Sequence, residues 1–520
     1  MAASNRKRTV KKGKNSRGTK SRQETAGFQT EIILFVILAA CVILLVSNFG
    51  MGGFVGDAIS HFCFGLMGMM AYLFPVIFFV GAAFILINKT NRLAYKKMAA
   101  VFVMFLFMCA TAQLLTDGYM SGTTLMDYFN SAVKYDPVNY YILFTKEELM
   151  TIKHRLSLEE ISKLKNDLKC LDIDYQALKR SIVSKKRPPN VKRNDYVSLA
   201  TYYWPNSETF NGLPYILKDG MANPEGKEYD KDDLRELAFI VYYKVLLYYL
   251  TDEVSYYDDI RKNIYYYILD KKTGMNPNMD HAQMIKGKCL GRGIGMIDFT
   301  ANFPYAIYML KLLKDDNKID NDFNNDLSDW LRRFMNWYKY SPIAMEELRS
   351  ANNHGIFYDF GLAIISDFLG VSKEIVPLSY SMIERMNKEI EPDGKMPLEQ
   401  ARTKSKCYSL MAAKGLYDFS LISRKYSFDL YESKAWSNNR CQKDIKPVIN
   451  FLINGLVLKI KPWPYKQIIE FDETTLLPLI HEAVKVLDYN YSELRLHLNL
   501  DKIKFRMLLK LMDILENYHE

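Results

Sequence analysis

The sequence predicts an all-α protein, with an N-terminal transmembrane anchor of three helices and a large helical body behind it. Two observations predict this. Three long apolar runs crowd into the first 117 residues. Beyond residue 144, apolar residues recur at helical spacing in stripe after stripe, while two-residue alternation is rare.

The N-terminal elements come first. Residues 1–30 carry nine Lys/Arg and one acid among many Ser, Gly, Asn and Thr, which predicts a disordered basic tail. Residues 31–117 hold the three spans: Ile32 to Val46, Phe62 to Ile87 and Met98 to Leu115, all without charge. With some flanking sequence each reaches across about 30 Å of hydrocarbon. The loop from Ser47 to His61 has no Lys or Arg, whereas the next loop carries Lys89, Arg92, Lys96 and Lys97. The positive-inside rule then makes the tail and the second loop cytoplasmic and places the body outside the cell, on a multi-pass protein of the cell membrane whose first partner is the lipid bilayer.

The net charge of +10 is local to this segment. Residues 1–117 hold 13 Lys/Arg against 4 Asp/Glu, which leaves 56 against 55 in the rest. No nucleic-acid partner is expected for a body so evenly balanced. Cys170, Cys289, Cys407 and Cys441 are scattered with no CxxC pair, which argues against a zinc site and does not establish disulfides.

Residues 118–143 read as a linker, and the body as residues 144–520. Leu234, Leu237, Ala238, Val241 and Val245 follow helical spacing, with Asp233 and Glu236 set as an acidic capping box. Leu327, Trp330, Leu331, Phe334, Met335 and Tyr338 do the same. Similar stripes recur around 254–268, 300–314, 358–369, 372–389, 407–421, 444–456, 474–487 and 503–517. Aromatic stripes of this kind are core packing.

Four blocks interrupt the stripes. The first is Tyr202-Tyr203-Trp204-Pro205, followed by Gly212-Leu213-Pro214-Tyr215 and Asp219-Gly220. Its aromatic rings with polar tips suit sugar rings. The second is Met275-Asn276-Pro277-Asn278 with Gln283 and Gly291-Arg292-Gly293. The third, Ser350-Ala351-Asn352-Asn353-His354-Gly355-Ile356-Phe357-Tyr358-Asp359, packs carboxamides, an imidazole and a phenol into one short turn feeding a helix. The fourth runs from Glu391-Pro392-Asp393-Gly394 through Glu399 and Arg402-Thr403 to Tyr408-Ser409. Glu399 and Arg402 are spaced for an ion pair three apart.

Together and in this order, the blocks resemble the alginate lyase family of polysaccharide lyases, over about residues 144–515. Pro462-Trp463-Pro464 resembles that family's late Trp-Pro element. The resemblance implies an α/α toroid, a catalytic His at His354 and a catalytic Tyr at Tyr408. Two departures are that three spans stand in place of a cleavable secretion signal and that no β-sandwich is appended. Residues 1–120 resemble the membrane region of FtsK/SpoIIIE-type DNA translocases, but no GxxxxGK[ST] loop of their motor occurs.

The chemistry follows from residue types. β-Elimination in a 4-linked uronate removes the C5 proton beside a carboxylate and breaks the bond to the 4-oxygen. The site must neutralise that carboxylate and the enolate-like charge that develops. Asn353 supplies amide donors and Arg402 a permanent cation. Tyr408 is the proton carrier, provided a cation such as Arg402 lowers its pKa. His354 either polarises the carboxylate or takes the proton. Gln283, Tyr203, Trp204, Asn352 and Tyr358 are candidate contacts for an anionic polysaccharide. No metal or other cofactor is required. Two rival functions are a glycan-binding membrane protein without turnover and a membrane scaffold related to the translocases.

Overall fold

The computed structural model describes residues 17–48, 70, 73–88, 91–117, 140–169, 180–185, 187–433 and 443–518. The chain divides into two units, Met1–Phe129 and Asn130–Glu520.

The first unit contains α1 (Arg17–Asn48), α2 (Phe74–Ile87) and α3 (Arg92–Asp117). Consecutive helices pack on each other, with Phe74 and Phe105 rings 6.1 Å apart. Two expectations need correction here. The basic tail is helical from Arg17, because its Lys, Arg, Gln and Glu are good helix formers joined to an apolar helix; residues 1–16 lie outside the described residues. The three spans are not seen as such, since among the described residues no helix is long and apolar enough to cross a membrane. Fourteen residues of α2 give about 21 Å, against about 30 Å of hydrocarbon. Most of the middle run before Phe74, and the linker from 118 to 139, lie outside the described residues.

The second unit opens with a buried strip. Tyr140 to Phe144 are each at most 3% exposed, so the core begins before residue 144. This strip is extended, and its backbone groups need partners away from water. Tyrosines from two helices supply them. Tyr242 accepts from the Ile142 N–H at 3.1 Å, and Tyr308 donates to the Phe144 carbonyl at 2.9 Å. Tyr141 stacks on Tyr305 at 4.7 Å. Several of the chain's tyrosines are thus spent on satisfying a buried strand-like segment.

Around it lie α4 (Lys146–Arg155), α5 (Leu158–Lys169), α6 (Lys231–Thr251), α7 (Val254–Ile264), α8 (Ile297–Thr300), α9 (Phe303–Asp315), α10 (Asn321–Tyr340) and α11 (Pro342–Leu348). There follow α12 (Asn353–Leu369), α13 (Ile375–Glu389), α14 (Pro397–Gln400), α15 (Ser405–Arg424), α16 (Lys446–Leu452), α17 (Leu477–Leu487), α18 (Tyr491–Leu496) and α19 (Arg506–Leu515). The predicted stripes fall on these helices. α6, α9, α12 and α15 are buried on nearly all sides and pack in that order. α10 and α13 bury one face only and form an outer layer against α12.

α6 starts earlier than expected, at Lys231, and Asp233 is no cap. Its carboxylate pairs with Lys185 at 2.7 Å. Asp230, at the helix start, is also taken by tertiary partners: it accepts from the Val197 N–H at 2.8 Å and meets Arg187 at 3.0 Å.

Two short sheets complete the unit. β1 (Val197–Leu199) runs parallel to β4 (His281–Met284), and β2 (Tyr203–Trp204) pairs antiparallel with β3 (Ile216–Leu217). They hold the first two sequence blocks against the helical body.

The outer layer gives a direct test of packing. Trp330 is 2% exposed, stacks on Phe334 at 5.1 Å and donates to the Met275 carbonyl at 2.8 Å. Trp330→Ala is expected to cost about 3–5 kcal/mol. Urea denaturation should show the midpoint falling with little change in slope.

Candidate active site

The site is built at the N-terminal ends of α12 and α15. Asn352 caps α12, its Oδ1 accepting from the His354 N–H at 3.2 Å. The next residue, Asn353, is 1% exposed. Its backbone N–H donates to Glu399 Oε1 and its Nδ2 to Glu399 Oε2, both at 2.7 Å. His354 Nδ1 lies 2.9 Å from Glu347 Oε1, at the end of α11. The glycine of this block has a steric reason. A Cβ on Gly355 would lie 2.0 Å from Arg385 Nη1, and that guanidinium donates to the Ser350 and Leu348 carbonyls and to Asp359.

Glu347 and Glu399 are both buried beneath the cleft. Burial pushes each carboxyl up. His354 opposes this at Glu347, while the Asn353 hydrogen bonds, His354 and Arg402 oppose it at Glu399. Glu399 is therefore the point at which Asn353, His354 and Arg402 converge. The expected Glu399–Arg402 pair is replaced by these contacts, because the two residues face different partners.

Arg402 instead binds Asp219, with Nη2 to Oδ1 at 2.7 Å. Asp219 also accepts from Thr403 Oγ1 at 2.9 Å and Thr403 N at 3.3 Å. The Lys218–Met221 turn makes this approach possible. Gly220 has φ +78°, and a Cβ there would lie 2.3 Å from Thr403 Oγ1. The same Nη2 donates to the Tyr408 hydroxyl at 3.0 Å, and the guanidinium lies 4.0 Å from that ring's centre. The Tyr202 hydroxyl is 2.7 Å from the Tyr408 hydroxyl, and Lys404 Nζ lies 5.4 Å from the centre of the Tyr202 ring.

The expectation that Arg402 brings the Tyr408 phenol down is not met in this state. Desolvation pushes that phenol well above its ordinary value and Tyr202 adds to it, while Arg402 opposes the rise. Asp219 absorbs part of the guanidinium charge. Tyr408 is thus held as a neutral phenol, ready to donate a proton.

The start of α15 is braced from the far end of the chain. Trp463 Nε1 donates to Ser405 Oγ at 2.8 Å, Ser405 N to the Lys466 carbonyl at 3.1 Å, and Ile468 N to the Thr403 carbonyl at 3.0 Å. The Trp-Pro element therefore positions the turn that carries Arg402 and Tyr408.

The other sequence candidates divide. Tyr203 lies beneath Arg292, 5.1 Å from guanidinium carbon to ring centre. Trp204 donates from Nε1 to the Met221 carbonyl at 2.8 Å, with Lys218 Nζ over its ring at 5.4 Å. Gln283 is buried at φ +50°, where the β1–β4 register is irregular. Its Nε2 donates to Asp298 at 3.1 Å, its Oε1 accepts from Arg292 at 2.8 Å, and its N–H donates to Ser198 at 2.7 Å. That side chain is committed to the protein rather than to a sugar. Tyr358 is a core residue, 2% exposed, exchanging hydrogen bonds with Tyr338: its hydroxyl donates to the Tyr338 carbonyl at 3.0 Å and accepts nothing from the cleft. It lies on the same side of α12 as His354 but one turn further into the core, against Tyr338. Glu347, Asp219, Tyr202 and Lys404 were missed as site residues. Tyr202 and Asp219 carried a signal by lying inside the first block and Lys404 by lying inside the fourth, whereas Glu347 lies in none. Among the described residues, no group of three or more His, Cys, Asp or Glu is placed to hold a metal ion.

The body is that of a polysaccharide lyase, and the candidate residues Asn353, His354, Arg402 and Tyr408 lie at or near the N-terminal ends of two of its helices. The chain belongs to the alginate lyase family, whose model it matches over residues 181–463. It is similar to a crystal structure of an alginate lyase from Bacteroides ovatus, with 26% identity and a TM-score of 0.61, over 71% of this chain and 98% of that one. The body thus has the α/α toroid fold. Alginate lyase A1-III from Sphingomonas species A1 is a more distant likeness, at 16% identity and a TM-score of 0.44, over 70% of this chain and 92% of that one. No curated protein matches the chain significantly. No match supports the resemblance of residues 1–120 to DNA translocases.

The Asp219 clamp predicts a pH dependence. Burial raises this carboxyl, but hydrogen bonds and charge from Arg402 and Thr403 outweigh it and hold it below its usual value. A carboxyl depressed in the folded state stabilises fully above its unfolded value and loses that contribution as pH falls through the folded one. Asp219→Asn should therefore lower the melting temperature near neutral pH, and the gap to wild type should close as pH falls below the usual aspartate range. Thermal melts across that range check it.

Proposed function

We propose that the body cleaves a 4-linked uronate polymer, alginate or a close chemical relative, by β-elimination. The observation that carries this is the set of Asn353 held by Glu399, His354 held by Glu347, and Arg402 hydrogen-bonded to the Tyr408 hydroxyl at 3.0 Å. The Bacteroides ovatus neighbour, described as an alginate lyase, supports the polymer class.

Asn353 and Arg402 face the uronate carboxylate and withdraw its negative charge, which makes the C5 proton more acidic. The Glu347 carboxylate receives the Nδ1–H of His354 and leaves Nε2 as the basic nitrogen. His354 Nε2 takes the C5 proton, the electron pair forms the C4–C5 double bond, and the bond to the 4-oxygen breaks. Tyr408, held as a neutral phenol, donates its proton to that leaving oxygen. A second route is favoured by the Arg402–Tyr408 hydrogen bond, which steadies a phenolate. There Tyr408 takes the C5 proton and returns it, on sugars whose proton and leaving oxygen share a face.

The N-terminal unit tethers the enzyme to a membrane, with the body outside the cell. Its described helices leave Phe35, Val36, Ile43, Ile87 and Phe107 exposed, a surface that calls for lipid or another apolar cover. The basic residues on the two flanks of the first apolar hairpin support that orientation.

The experiment is purified full-length protein against a panel of uronate polymers, followed by the ultraviolet absorbance of the unsaturated product. Absence of product from every polymer would overturn the elimination. Tyr408→Phe should lower turnover by about 10²–10⁴-fold while oligosaccharide binding persists. His354→Ala should abolish turnover only on sugars with proton and leaving oxygen on opposite faces, if Tyr408 serves both steps on the others. Arg402→Lys keeps charge but loses the planar fork, so it should weaken binding more than it shifts the pH optimum. Protease added to intact protoplasts should digest the body; protection equal to that of a cytosolic marker would reverse the topology.

A further inference from the structure

We propose that Glu399 is a positioning residue for the reaction: its carboxylate fixes the rotamer of Asn353 so that the remaining amide N–H meets the uronate carboxylate. This rests on the elimination proposed above.

The geometry is two-pronged. Asn353 donates from both its backbone N and its Nδ2, and each oxygen of Glu399 takes one bond at 2.7 Å. A carboxylate accepts only, so it selects the Nδ2 side of the carboxamide and repels Oδ1. The amide is locked against the flip that would place an oxygen, rather than an N–H, before an anionic sugar. The backbone bond has its own logic. Asn353 is the first residue of α12, whose opening N–H groups have no partner within the helix. An anion at that end is also favoured by the helix dipole.

Only a small void of about 10 Å³ lies behind this turn, lined by Asn352, Arg385, Glu389, Met396 and Glu399 among others. The charged and polar groups facing Glu399 are Asn353, His354, Arg402 and Glu389. Burial pushes the Glu389 carboxyl up to about 8, with Arg385 opposing and Glu399 adding to the rise, so at neutral pH it is mostly uncharged. At Glu399 burial acts in the same direction, but both of its oxygens accept from Asn353 N–H groups, contacts that favour the carboxylate form.

The test is a double-mutant cycle on the full chain, with kcat and KM read from the unsaturated product. Glu399→Gln keeps the shape but turns an N–H toward one of the two Asn353 donors. It should lower kcat by about 10–100-fold with KM within about threefold, somewhat less than deleting a transition-state donor outright. In an Asn353→Ala background the same change should cost less than about threefold, because nothing is left to position. Glu399→Asp, measured alongside, retains a carboxylate but withdraws it by one methylene, and should give an intermediate kcat. Wild-type kcat in either single variant overturns the proposal. So does an equal loss in both backgrounds, which would mark Glu399 as a general support of the fold. A wild-type protein that makes no unsaturated product defeats the elimination itself, whereas active variants beside an active wild type defeat only the role of Glu399.

Discussion

Carboxylates buried under the cleft set the geometry above them. Taking a carboxylate out of water is costly unless hydrogen-bond donors surround it, so each one draws in the donors within reach. Here those donors are the functional side chains. Glu399 takes Asn353 and Glu347 takes His354, and Asp219, which is only partly buried, takes Arg402. Three residues that would otherwise sample several rotamers are held in one arrangement by groups that never face the sugar. The arrangement exists before substrate arrives, which is what makes a fixed field useful for stabilising developing charge.

The same constraint shapes the scaffold. The extended strip from Tyr140 to Phe144 threads a core of inner helices, and tyrosine hydroxyls from α6 and α9 satisfy its backbone. The Trp463–Ile468 segment reaches back to the start of α15 and pins Thr403 and Ser405 by backbone and indole hydrogen bonds. Distant parts of the chain thus converge on one turn. Arg402 and Tyr408 sit only six residues apart, yet their placement relies on residues near 219 and near 466.

Charge partition within the site is equally a matter of neighbours. Arg402 divides its Nη2 between Asp219 and the Tyr408 hydroxyl, so its effect on the phenol is diluted. Tyr202 presents a second phenol 2.7 Å away, and desolvation does the rest. The resting site therefore places Tyr408, whose phenol desolvation keeps protonated, near an imidazole held at Nδ1 by Glu347.

The sequence by itself determined the helical body and the positions of most of its helices, and it singled out Asn353, His354, Arg402 and Tyr408 as candidates. These were legible because helical spacing and the local order of a motif are properties of neighbouring residues. The tertiary structure alone decided the rest. Tyr358 shares a helix face with His354, yet α12 enters the core within that one turn, and Tyr338 packs over it there. Gln283, in a motif that suggested sugar binding, is bound instead by Asp298, Arg292 and Ser198. Glu399 is three residues from Arg402 and pairs with Asn353, 46 residues away, rather than with its neighbour. Asp219 meets Arg402 across 183 residues. Which donor a buried carboxylate captures depends on what folding brings within about 3 Å of it, and no local pattern encodes that distance.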